Sequence, residues 1–171
     1  MIRQWLGLVL MSFTSLSYAN TDNFDDFYLG LASSFSEVDI NGVDQVDDKP
    51  DISSVGVIFG YQPSKYFAIE ARELVRVSSR SDMFDGQGSL LARGIVPIHE
   101  YFALYGVGGI SGIYTSGFDD LETDVTYGAG FRIKKGSPLY LDVEYRRLYS
   151  GDFVGSDIEV NSVNLNIVYG F

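Results

Sequence analysis

Seven ionisable residues recur inside otherwise apolar, alternating segments: Glu70 and Arg72, Arg93, Arg132, then Asp142, Glu144 and Arg146. Carboxylates and guanidinium groups in this arrangement can relay protons, line an ion path or neutralise one another. Charges of both signs at mid-segment are costly unless paired, so mutual pairing is the first expectation. His99 is the only His and stands in a short turn beside Pro97. A catalytic His needs a nucleophile within hydrogen-bond reach and an orienting group. Glu100 adjoins it, but neighbouring extended residues point to opposite faces, and no supporting Ser is near. His99 therefore reads as an exposed turn residue, and the chain as non-enzymatic. Cys is absent, which removes disulfides, thiolate metal sites and thiol catalysis. The run Asp39-Ile-Asn41-Gly42-Val-Asp44 lacks the spacing of a calcium loop and reads as hydrated carboxylates. No metal and no cofactor are expected. A net charge of −11 argues against nucleic acid, which needs a basic footprint.

The elements that must position these charges have a period of two. In Ile158 to Phe171, the residues Val163, Leu165, Ile167, Tyr169 and Phe171 share one face. Ser162, Asn164, Asn166 and Gly170 share the other, with Val168 an exception. The same pattern predicts strands at Phe27–Phe35, Ser53–Tyr61, Tyr66–Val77, Ser89–Val96, Tyr101–Tyr114, Asp124–Ile133 and Leu139–Tyr149. In the Tyr101–Tyr114 segment Gly106, Gly108, Gly109 and Gly112 leave the facing open. Glu73 breaks the apolar face of its strand, so a bulge or a place near the rim is expected there. An apolar face opposite a small, polar one suits a strand between lipid and a polar lumen.

The connections alternate long and short. The long ones are rich in Asp, with Asp39, Asp44, Asp47, Asp48 and Asp51 in the first, whereas Lys65, Lys134 and Lys135 mark the short ones. An up-and-down meander puts the two kinds at opposite ends. The expected fold is all-β: an eight-stranded antiparallel up-and-down transmembrane barrel. Such a barrel is only wide enough to be filled by its own side chains, so ion pairs closing the lumen are expected rather than an open pore. Tyr61, Tyr66, Phe67, Tyr101, Phe102, Tyr140 and Phe171 would form an aromatic belt at the short-turn rim, and Tyr114, Phe118, Tyr149 and Phe153 one at the other.

The first residues read as an export signal. Met1-Ile2-Arg3 carries the positive charge, Trp5 to Phe13 is apolar, and Ser17-Tyr18-Ala19 is a small-x-small cleavage site. An uncleaved anchor would need roughly 20 apolar residues. The expected division is a cleavable signal peptide over 1–19 and one barrel domain over 20–171.

Tyr127-Gly-Ala-Gly-Phe-Arg132, Leu139-Tyr-Leu-Asp-Val-Glu-Tyr-Arg146 and Val168-Tyr-Gly-Phe171 resemble the small Gram-negative outer-membrane β-barrel family, the OmpA transmembrane domain and OmpX type. The resemblance covers essentially the whole chain after the signal. It implies location in the outer membrane, with lipid and lipopolysaccharide as surroundings. Divalent ions bridging the acidic loops to lipopolysaccharide phosphates fit that setting. The resemblance also implies that Ile167, Tyr169 and Phe171 form the signal read by the barrel assembly machinery. A periplasmic peptidoglycan-binding domain is not seen, so wall anchoring is not implied. The acidic loops are candidates for contact with an extracellular partner. The leading reading is a structural or surface-interaction barrel. One alternative is a barrel transporting small solutes or hydrophobic compounds. Another is a soluble periplasmic ligand carrier of lipocalin type, which would invert the faces and put the charges outside.

Overall fold

A computed structural model of the chain describes residues 27–40, 51–79, 86–115, 118–134, 138–153 and 156–171. The expected signal segment, residues 1–19, lies outside them, as do the side chains of Asp39, Phe118, Tyr149 and Phe153. Eight strands follow one another: β1 (Phe27–Ile40), β2 (Asp51–Ser64), β3 (Phe67–Ser79), β4 (Gly86–His99), β5 (Phe102–Thr115), β6 (Phe118–Lys134), β7 (Leu139–Phe153) and β8 (Ser156–Gly170). Each pairs antiparallel with the next, and β8 closes on β1.

The strands have 13 to 17 residues. About 9–11 suffice to cross a bilayer, so they continue past it. This corrects the expected boundaries at the long-loop end. Glu37 to Ile40 continue β1, and Phe118 to Thr123 begin β6 instead of forming a loop. Acidic side chains outside hydrocarbon do not oppose an extended backbone, so composition misplaces the strand ends.

The faces fall as the alternation predicts. Leu31 is 67% exposed and Val125 64%, whereas Arg93, Asp142 and Arg146 are 0% exposed. Aliphatic side chains outside and ionic groups inside exclude the lipocalin-type arrangement. The open facing of β5 is resolved as well. Ala103, Tyr105, Val107, Ser111 and Ile113 point inward, and Leu104 and Ile110 outward.

The lumen is layered. Tyr28, Ala68, Ile95, Ala103, Tyr140 and Val168 pack together toward the short-turn end. Val168 departs from the polar face of β8 because its inward position belongs to this apolar layer. Toward the other end Ile52, Ile113, Leu148 and Val160 are buried. Between the two lie the ion pairs and a set of buried Ser, Thr and Asn side chains.

Candidate functional site: the buried ionic core

Four strands supply the ionic core, each through an inward position. Glu70 and Arg72 are two residues apart on β3, so both side chains enter the lumen, and Arg72 Nη2 donates to Glu70 Oε2 at 2.6 Å. The same guanidinium forks onto Glu144 of β7, with Nη1 to Oε1 at 2.7 Å and Nη2 to Oε2 at 2.9 Å. Arg93 of β4 bridges two carboxylates: Nη2 lies 2.8 Å from Glu70 Oε1, and Nη1 donates to Asp142 Oδ2 at 2.6 Å. Arg132 of β6 donates through Nε to Asp142 Oδ1 at 2.7 Å and through Nη2 to Oδ2 at 2.9 Å. Glu144, Arg72, Glu70, Arg93, Asp142 and Arg132 thus form one continuous chain of ion pairs across the barrel, in which the Glu70–Arg93 link is a close N···O contact without hydrogen-bond geometry.

Aromatic groups complete it. The Tyr28 hydroxyl donates to Glu70 Oε1 at 2.5 Å. The Arg93 guanidinium stands 3.9 Å from the Tyr105 ring centroid, and that of Arg132 stands 4.9 Å from the Tyr140 ring. Tyr140 is the correction to the expected belts. It alternates with Leu139 and Leu141, so it faces the lumen and is 8% exposed. Tyr61, Tyr66, Phe67, Tyr101 and Phe171 do lie exposed toward the short-turn rim. At the other rim the outward rings include Phe35, Tyr127 and Tyr145, which the sequence reading missed. Their outward parity on strands extending past the aliphatic band was the available signal.

Arg146 is the loosest member of the set. It was expected in the pairing network, and it is fully buried, yet its closest carboxylate contact is Nε to Glu144 Oε1 at 3.8 Å. Its Nε, Nη1 and Nη2 make no hydrogen bond.

Glu73 is exposed on the outer wall and pairs in regular register with Val57 and Gly88, so no bulge accommodates it. Instead Tyr114 of β5 reaches over Gly86 and donates its hydroxyl to Glu73 Oε1 at 2.8 Å. A Cβ on Gly86 would stand 2.2 Å from that hydroxyl oxygen, so the bridge requires glycine there.

The β6–β7 ladder stops at Tyr127↔Arg147, although both strands continue toward the long-loop end. Side chains take over beyond it. Thr126 Oγ1 donates to the Arg147 carbonyl at 2.6 Å, and the Ser150 N–H donates to Asp124 Oδ2 at 2.7 Å.

His99 ends β4 with its side chain exposed, its ring 5.6 Å from that of Tyr101. It lines a pocket of about 170 Å³ at the short-turn mouth with Lys65, Glu100, Arg132 and Lys134, among others. No Ser is among the residues lining that pocket. Among the described residues, no group of three His, Cys, Asp or Glu side chains is placed to hold a metal ion.

Residues 6–171 match the outer membrane protein beta-barrel domain family. No curated protein matches the chain. Among solved structures, Neisserial surface protein A is similar with a TM-score of 0.61 at 14% identity, covering 85% of this chain and 97% of that one. The attachment invasion locus protein Ail of Yersinia pestis has a TM-score of 0.51 at 16% identity, covering 85% of this chain and 100% of Ail. OprG of Pseudomonas aeruginosa has a TM-score of 0.51 at 13% identity, covering 85% and 95%. At these identities the likeness is one of fold.

Proposed function

The chain belongs to the outer membrane protein β-barrel family and resides in the Gram-negative outer membrane, and from that premise we propose that it is a non-conducting, non-enzymatic barrel with a structural or surface-interaction role. The observation that carries this reading is the continuous ionic chain from Glu144 to Arg132, with buried apolar side chains toward both ends of the lumen. An eight-stranded barrel leaves room for side chains and little else. Each carboxylate of the chain is engaged by at least one guanidinium. None is free to act as a general base, and among the described residues no Ser or Thr hydroxyl is hydrogen-bonded to them.

Ail has been solved in complex with the heparin analogue sucrose octasulfate, a polyanion. This chain has 23 acidic against 12 basic residues, with Asp concentrated in its long connections. That charge repels polyanions and favours cationic partners, or divalent ions bridging to lipopolysaccharide phosphates. The outward Ile167, Tyr169 and Phe171 of the last segment are proposed to serve the barrel assembly machinery, and residues 1–19 to serve as a cleaved export signal.

Proteoliposome swelling tests the closed-lumen reading. Vesicles carrying the purified chain should swell in iso-osmotic glycine no faster than protein-free vesicles. Faster swelling would favour the solute-transport alternative.

A further inference from the structure

Beyond the ion pairs, toward the long-loop end, the lumen changes character. The described buried groups of the lumen comprise four guanidiniums, on Arg72, Arg93, Arg132 and Arg146, against three carboxylates, on Glu70, Asp142 and Glu144. One positive charge is left over among the described residues, and the geometry identifies it as Arg146. Among the described residues Glu144 is the only carboxylate within 4 Å of it, at 3.8 Å, and both oxygens of Glu144 already accept from Arg72. All three guanidinium nitrogens of Arg146 are buried without an acceptor.

The wall beside Arg146 is neutral and made of short polar side chains. Ser162 pairs with Arg146 across the β7–β8 ladder, and Ser36 pairs with Ser162 on β1. Asn164 and Ser34 occupy the next inward positions, with Ser54 beyond Ser34 on β2. All of these are buried. Hydroxyl and amide groups here can donate hydrogen bonds, and none can contribute negative charge. Ile52, Leu148 and Val160 are buried one inward position nearer the long-loop end than Ser54, Arg146 and Ser162 on their strands.

A buried cation keeps its charge only where something of opposite sign offsets its desolvation. Water can answer its hydrogen bonds but not its charge. We propose that the upper lumen binds a small inorganic anion of the halide class, with Arg146 as its charged ligand and the hydroxyls of Ser34, Ser36 and Ser54 as neutral lining. Short side chains around Arg146 and apolar residues nearer the long-loop end favour a monatomic or similarly compact ion.

The test is to refold the purified chain in detergent with sodium bromide, so that bromide is present as the barrel closes, and to record crystal diffraction at the bromine absorption edge. The expected result is an anomalous peak inside the lumen in contact with the Arg146 guanidinium. Arg146→Met should lose that peak. A density feature at that position without anomalous signal is water, and it would overturn the proposal. So would Arg146 turned onto a carboxylate. The wild-type map decides the matter by itself should Arg146→Met not fold.

Discussion

Arg93 and Asp142 stand on strands that share no edge, β4 and β7, and meet in the middle of the barrel with Nη1 2.6 Å from Oδ2. Each is also tied to another partner, Arg93 to Glu70 and Asp142 to Arg132. This ion pair thus spans the lumen, as the Arg72–Glu144 pair also does, and links the two halves of the ionic chain.

Removing Arg93 leaves Glu70 and Asp142 buried with fewer cationic partners. Arg93→Met should therefore destabilise the barrel by about 3–5 kcal/mol. Adding Glu70→Gln should recover part of the loss, because a neutral amide costs less to bury than a carboxylate. Equilibrium urea unfolding in lipid vesicles measures both. A single variant as stable as the parent would contradict the account of the core.

The Tyr28 ring lies over Gly60, where a Cβ would come within 2.0 Å of its Cζ. Gly60→Ala should displace that ring, weaken the bond from its hydroxyl to Glu70 and cost about 1–3 kcal/mol. Nothing lies within 4 Å of a Cβ built at Gly94. Gly94→Ala should change stability by less than about 0.5 kcal/mol. Similar losses at the two glycines would mean that contact with Tyr28 is not the cause.

Leu165 is 44% exposed on the outer wall and pairs with Val143 and Ser33. Facing hydrocarbon, Leu165→Arg should cost about 2–4 kcal/mol if it lies near the bilayer midplane, and less toward an interface. On a barrel exposed to water the same change would be nearly neutral. Unfolding in vesicles of two acyl-chain lengths separates these outcomes.

Asp124 and Thr126 replace the missing ladder between β6 and β7. Asp124→Ala should speed amide hydrogen exchange at Ser150 by at least about tenfold, the equivalent of one hydrogen bond, and leave the amides of Leu141 and Val143 unchanged. Exchange monitored residue by residue by NMR in micelles provides the check.

The fold was largely legible because each strand repeats one constraint. In β2, Val55 and Val57 against Ser54 and Gly56 are enough to assign its faces. β5 resisted, because Gly106, Gly108, Gly109 and Gly112 have no side chain to reveal which way they point. The strand ends resisted for another reason. Asp and Glu mark where the chain leaves hydrocarbon, not where its backbone stops pairing, so Glu37 and Thr123 remain in strands. In the core, mid-strand charge implied pairing: six of the seven residues form close ion pairs, and Arg146 stands at the edge of the network, 3.8 Å from Glu144. The sequence carries no three-dimensional count of partners. It could not reveal that Arg72 occupies both oxygens of Glu144 and leaves Arg146 apart.

The central claim is that ion pairs and apolar layers close the lumen. Single-channel recording in a planar bilayer, with purified chain in symmetric potassium chloride, addresses it most directly. The account predicts a flat baseline after insertion is confirmed by protease protection. Steady, reproducible current steps that scale with the amount of protein would contradict it.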